Sequence, residues 1–279
     1  MQSPLVSVLM TAYNREKFIA PAIESVLASH LKDFELIIVD DVSSDKTVAI
    51  ARSYAANDNR VKVFVNEQNL GDYPNRNKAA SYARGKYIKF LDSDDIMYPH
   101  CLDVMVGSME QFPEAGFGLS SISDPDTHYP VLLSPKEAYN EHISGYSHFD
   151  RAPGSSIIRK DAFDKVGGFT GLRQLGDFEF WLTLACYYPL VKFPAGLYWS
   201  RTHEHQESKT NTEKEKIRMR LEVIQKVFSK EKVPLTPEEQ LRVINAYKKA
   251  GFKFTVRNIF GYGKQLFNQT LLKGNKNGS

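Results

Sequence analysis

The sequence predicts an α/β fold: a mostly parallel, Rossmann-like sheet flanked by helices, followed by a helical C-terminal extension. Three observations predict it. Short β-rich runs alternate with helical periodicity through the first hundred residues. One of those runs, Leu36-Ile37-Ile38-Val39, is continuously apolar, as in strands buried on both faces. Beyond residue 210 the strand signal ends and helical spacing takes over.

The elements follow in order. Val6-Ser7-Val8-Leu9-Met10 reads as a first strand, and Phe18, Ala22, Ile23, Val26 and Leu27 mark a helix after it. Leu36–Val39 is the second strand, with Ser44 or Asp45 placed to cap the helix that carries Val48, Ala49, Arg52 and Tyr54. Val61–Val65 and Tyr87–Leu91 are further strands, with a helix over Asn75–Ala83 between them. Residues 112–175 read as loop-rich, because Pro113, Pro125, Pro130, Pro135 and Pro153 interrupt them. Their aromatics, Tyr129, Tyr139, Tyr146 and Phe149, read by default as surface packing, with stacking on the ring of a ligand as the alternative. Glu213–Lys230 carries Ile217, Leu221, Ile224 and Val227 on one stripe. Thr236-Pro237-Glu238-Glu239 is a capping-box start for a helix reaching about Ala250. The expected division is a catalytic domain over 1–210 and a basic helical extension over 211–279.

Composition narrows the classes. At 25% charged and 42% hydrophobic the chain suits a globular protein, and no run of about eighteen apolar residues suggests a membrane span. The start lacks a secretory pattern, and Cys101 and Cys186 form neither a disulfide framework nor a zinc motif. A cytoplasmic setting is the expectation, with the inner face of the plasma membrane as an extension of it. A net charge of +3 gives no bulk reason to expect nucleic-acid binding.

Parallel α/β sheets bind ligands outside the carboxyl ends of their strands. Here those segments are Thr11-Ala12-Tyr13-Asn14, Asp40-Asp41 through Asp45, and Asp92-Ser93-Asp94-Asp95, with Asn69 to Asp72, Arg76 and Asn77 alongside. Six carboxylates from two neighbouring loops repel one another unless a cation sits among them. Asp and Ser also serve as ordinary turn and cap residues. Asp92 and Asp94, however, are spaced to face one hard divalent ion, Mn2+ or Mg2+, which is commonly completed by substrate phosphates. A nucleotide or diphosphate substrate follows.

Val6–Asn14, Val39–Thr47, Phe90–Asp95, Gly154–Arg159, Val166–Phe169 and Leu175–Trp181 together resemble an inverting family-two glycosyltransferase of the GT-A fold, over roughly residues 4–207. The resemblance implies a nucleotide-sugar donor, expected to be a UDP-sugar, and a saccharide or lipid-linked saccharide acceptor in bacterial surface polysaccharide assembly. Thr11 and Tyr13 match positions that cradle the nucleotide, and Asp41 the position that hydrogen-bonds the base; its neighbour Asp40 is expected to brace the loop, although the residues alone leave open which aspartate faces the base. Arg76 and Asn77 resemble a segment that holds nucleotide and sugar, with Asn75 replacing a usual small residue. Asp94 matches a metal ligand, and Asp92 a ligand or a sugar or ribose contact.

Asp177 matches the family's base, but the usual preceding acid is Gly176 here. By its residues alone Asp177 is equally an N-cap, because an apolar helix follows it. Tyr198–Ser208 resembles a closing Arg-x-His loop, which implies Arg201 on the diphosphate and His203 on the metal or diphosphate; the alternative for His203 is a solvated loop position. The implied reaction is one in-line displacement with Asp177 taking the acceptor proton.

Two other classes compete. A sugar nucleotidyltransferase would carry a glycine-rich basic loop after the first strand, whereas Thr11 to Glu16 has no glycine. A non-catalytic nucleotide-binding partner would leave nucleotide sugars unhydrolysed. The tail, 241–279, holds eight lysines and arginines and no acid. With Phe252, Val256, Ile259, Phe260, Leu266, Phe267 and Leu271 it reads as peripheral contact with an anionic membrane or as a helix packed on the body.

Overall fold

The computed structural model describes residues 3–120, 127–202 and 213–249. The chain divides into two compact units, residues 1–207 with 231–234, and residues 208–230 with 235 onward.

In the first unit β1 (Val6–Ala12), β2 (Phe34–Asp40), β3 (Val61–Val65) and β4 (Tyr87–Phe90) lie parallel in the order β3-β2-β1-β4. The connecting helices are α1 (Ile19–Leu27), α2 (Thr47–Asn57) and α3 (Asp72–Tyr82). All seven residues of β2 are buried, as its unbroken apolar run predicts. Register pairs Ala12 with Asp40 and Leu9 with Phe90, so the segments after β1, β2 and β4 emerge at one edge.

The sheet continues as β8, β6, β9 and β7. Here β5 is Ile96–Met97, α4 Cys101–Glu110, β6 Phe117–Ser120, β7 Val131–Leu133, α5 Pro135–Glu141, β8 Ser156–Arg159, α6 Lys160–Val166, α7 Gly176–Tyr187, β9 Leu190–Phe193 and β10 Tyr198–Trp199. β8 runs antiparallel to β4 and β6, so the sheet is mixed rather than uniformly wound. A small antiparallel pair, β10 with β5, places Tyr198 opposite Met97 just beyond the acidic loop.

Three expectations need correction. Residues 112–175 contain strands and helices, because Pro135 initiates α5 behind a Ser134–Glu137 capping box and Pro153 opens a short 3-10 turn. Tyr139 and Phe149 are buried and meet edge to face, so they build the core and do not face a sugar. α3 starts at Asp72 rather than Asn75, since Pro74 lies in its first turn, where an amide N–H has no intrahelical partner.

In the second unit α8 spans Glu213–Lys230 and a further helix spans 237–249. Ile224 and Val227 are buried, with Val223 beside them, while Ile217 and Leu221 are half-buried. The capping box at Thr236 and Glu239 is formed, with Thr236 N–H donating to Glu239 at 2.8 Å and Glu239 N–H to Thr236 at 3.3 Å. No helix of the described residues is long and apolar enough to cross a membrane.

Candidate active site

The acidic edge is interleaved with arginines. Arg15, in the segment after β1, pairs with Asp94 at 3.3 Å. Arg76, on α3 and buried, donates to Asp72 at 2.8 Å and to Asp92 at 2.7 Å, and its Nη1 is buried with no hydrogen-bond partner. Arg201, beyond β10, donates its backbone N–H to Asp95 at 2.9 Å and its Nε to the Asp94 carbonyl at 2.9 Å. Its guanidinium lies over the rings of Trp199, at 4.7 Å, and Phe18, at 5.2 Å. These cations answer much of the repulsion that the loop sequence implies. Burial, and then the Asp92 charge, still push Asp95 up to about 7.

What bears on a metal is the set of oxygen donors in this loop. Among the described residues no three His, Cys, Asp or Glu side chains form a cage for one. A hard divalent ion needs only one or two carboxylates when substrate phosphates complete its shell. Asp92 and Asp94 supply oxygen donors of that kind, so the site fits Mn2+ or Mg2+. His203 lies outside the described residues.

The segments after β1 and β2 are tied together. Asp40 accepts from the backbone N–H and hydroxyl of Ser43, so it braces its own loop. Asp41 accepts from Asn66 and from Leu70 N–H, each at 2.8 Å, and from Gly71 N–H at 2.9 Å. It thereby fixes the loop that enters α3, where Gly71 adopts φ +82°. Thr11 is half-buried and Tyr13 exposed at this edge. Asp45 accepts Thr47 N–H at 2.9 Å, but the N-cap of α2 is Lys46 and carries no side-chain cap bond, so the expectation that Ser44 or Asp45 caps this helix is corrected.

α3 connects this edge to α7. Asn77 accepts Phe169 N–H at 2.9 Å and donates to Phe169 O at 2.7 Å, so its amide holds the loop ahead of α7 rather than facing the ligand edge. Gly168 is required there: at φ +70°, an added Cβ would stand 2.6 Å from Asn77 Oδ1. Phe169 then packs tilted against Phe180 at 4.4 Å and meets Phe90 edge-on at 5.6 Å, which locks α7 to β4. Asn75 is buried, bonded to Val39 O and to Asn66, which accounts for an amide where a small residue was expected.

Asp177 is the second residue of α7. The N-cap is Leu175, so the reading of Asp177 as a cap is corrected. Its backbone N–H donates to the Tyr73 hydroxyl at 3.1 Å, and its carboxylate accepts Phe178 N–H at 2.7 Å. Burial pushes its pKa up to about 6; the Phe178 N–H and the Arg76 charge oppose this, Asp72 reinforces it, and the Tyr73 hydroxyl opposes it again. The missing acid at 176 has a steric reason, since an added Cβ would stand 2.7 Å from the Tyr73 ring. Glu179 is buried and bonded to Thr170, away from this role. Sequence reasoning missed Tyr73 and Arg15; the proline after Tyr73, read as a first-turn residue, was the available signal.

Residues 7–167 match the family described as Glycosyl transferase family 2. The chain belongs to this family. An uncharacterized glycosyltransferase of Methanocaldococcus jannaschii is 34% identical over 189 residues, covering 65% of this chain and 65% of that protein. The putative teichuronic acid biosynthesis glycosyltransferase TuaG of Bacillus subtilis is 45% identical over 150 residues, covering 51% of this chain and 60% of TuaG. WfgD of Escherichia coli, a UDP-Glc:alpha-D-GlcNAc-diphosphoundecaprenol beta-1,3-glucosyltransferase, is 39% identical over 109 residues, covering 39% of this chain and 42% of WfgD. The chain thus covers less than two thirds of the length of these relatives.

Among solved structures, S. aureus TarS 1–349 in complex with UDP-GlcNAc aligns at TM-score 0.67 and 19% identity, covering 89% of this chain and 73% of that one. The Pyrobaculum calidifontis mannosyltransferase PcManGT with GDP-Man and Mn2+ aligns at TM-score 0.64 and 17% identity, covering 95% and 81%. The family-two fold expected from the sequence, α/β with a mostly parallel sheet flanked by helices, is the observed one.

Proposed function

We propose that this family-two chain transfers a sugar from a UDP-sugar to a hydroxyl of a saccharide or lipid-linked saccharide, with inversion, in surface polysaccharide assembly. The observation that carries the reading is the double role of α3. Tyr73 and Arg76, neighbours at i and i+3 on that helix, hold Asp177 and Asp92 respectively. One rigid element therefore sets a half-buried carboxylate against the acidic donor loop.

Asp41 would accept the ring N–H of the base, since among the described residues its Oδ2 is bonded only to Gly71 N–H. Thr11 and Tyr13 would flank the nucleotide at the exposed end of β1. Asp94 and Asp92, with His203 from the closing loop, would hold Mn2+ or Mg2+, which neutralises charge on a departing diphosphate. Arg76 has an unpartnered buried N–H for a donor oxygen, and Arg201 a guanidinium beside the same loop. Asp177, held near pKa 6, is ionised at neutral pH and takes the proton of the attacking hydroxyl. With no covalent intermediate, a single displacement inverts the anomeric centre. The UDP complex of TarS and the lipid-linked acceptor in the name of WfgD support this choice of substrates.

A panel of nucleotide sugars incubated with Mn2+ or Mg2+ tests the reading. One UDP-sugar is expected to be hydrolysed slowly, EDTA to abolish the activity, and the first sugar released to show inverted configuration by NMR. Retained configuration, or pyrophosphate release from a sugar 1-phosphate and a nucleoside triphosphate, would overturn it.

A further inference from the structure

Among the described residues, Arg151 is the one guanidinium with two buried N–H groups that lack a partner. The backbone around it is held firmly. Its carbonyl accepts the Trp181 indole N–H at 2.7 Å, one turn along α7 from Asp177. Three residues on, the Gly154 carbonyl accepts the buried Lys89 ammonium. The Tyr198 ring packs against Gly154 so closely that an added Cβ would lie 3.0 Å from it. The side chain on this strut is unsatisfied: Nε and Nη2 of Arg151 are buried with no hydrogen-bond partner. Its charge is felt by His148 and by the Tyr198 hydroxyl, and that hydroxyl also senses Asp95 and Asp92. None of the chain's 33 acidic residues pairs with it among the described residues.

A guanidinium with buried, unbonded N–H groups is costly, and it is matched best by the paired oxygens of a phosphate or carboxylate. Its carbonyl meets α7 at Trp181, four residues past Asp177, and its charge reaches Tyr198, whose hydroxyl also senses Asp95 and Asp92 of the acidic loop. The donor-loop cations are different residues, Arg15, Arg76 and Arg201. We propose that Arg151 recognises an anionic group on the acceptor, a phosphate or a carboxylate, while the acceptor hydroxyl is presented to Asp177. The substrate class is therefore an acidic acceptor, and the inference rests on the glycosyltransferase reading above.

The test uses the full chain saturated with UDP and Mn2+, titrated with three probes. These are a short-chain alkyl α-GlcNAc diphosphate, methyl α-glucuronide and neutral methyl α-GlcNAc. The wild type is expected to bind at least one anionic probe about tenfold or more tightly than the neutral one. Arg151→Gln is expected to lose that preference, Arg151→Lys to keep part of it, and both to bind UDP within about twofold of wild type. Preference for the diphosphate alone assigns a phosphate, and preference for the uronide alone a carboxylate. The inference is overturned if Arg151→Gln binds the anionic probes like wild type, if the neutral glycoside weakens equally, or if neither anionic probe binds. Arg151→Lys guards against misfolding as the explanation, because it keeps the cation and the stem. Failure of the wild type to bind UDP would instead sink the UDP-sugar reading on which the inference rests.

Discussion

Asp177 carries the proton chemistry, so its environment makes the sharpest residue-scale predictions. A base must be ionised to act, and burial holds this one up to about 6. Transfer is therefore expected to be low at pH 5, to rise through about 6 and to level off above 7, as read from kcat/KM against pH. The Tyr73 hydroxyl lowers the Asp177 pKa, so Tyr73→Phe should move this acid limb to higher pH. An unmoved limb removes Tyr73 from the account. Gly176→Ala would drive a methyl to within 2.7 Å of the Tyr73 ring. It should cost about 1–3 kcal/mol in unfolding free energy and lower kcat, with UDP affinity retained. The partnership of Tyr73 with Asp177 spans 104 positions, and nothing periodic in a sequence encodes such a contact. Asp92 and Asp94 stand out by residue type and loop position, whereas Asp177, in the first turn of α7, is singled out only by the family resemblance.

At the scale of elements, α3 is the joint between donor loop and base. Asn77→Ala removes both hydrogen bonds to Phe169 and loosens the approach to α7. The expected cost is about 1–3 kcal/mol in denaturant unfolding, with kcat falling more than UDP affinity. An equal loss in both would mean that Asn77 serves the nucleotide directly. The strands β1 to β4 were legible from their apolar runs, since burial on both faces leaves little room for polar residues. Where α3 begins was not, because a proline reads as an interruption unless its first-turn position is known. The same error hid α5 behind Pro135. The antiparallel β8 was also invisible as such, since Ser156–Arg159 has no local mark of strand direction.

For the whole molecule, charge is distributed unevenly. All 33 acidic residues precede position 241, while residues 241–279 carry eight cations, and most of that tail lies outside the described residues. If the tail contacts an anionic bilayer, full-length chain should co-sediment with phosphatidylglycerol vesicles and a chain ending at Lys249 should not. Binding should weaken as salt rises, and equal binding by both chains rejects the membrane role. At the opposite edge of the sheet, burial would raise Glu35, but hydrogen bonds from Lys62, Arg84 and Ser7 outweigh it and hold the carboxyl at about 2. Its contribution to stability is therefore complete above about pH 4.5 and is lost as pH falls towards 2. Glu35→Gln should flatten that part of the stability profile and leave transfer unchanged, because the cluster is remote from the acidic loop.

The most direct test of the central claim, that Asp177 is the base of a single displacement, is Asp177→Asn measured with the UDP-sugar that the wild type uses. The account predicts transfer reduced by roughly 10² to 10⁴, with UDP affinity within about twofold of wild type. Transfer near the wild-type rate would contradict it.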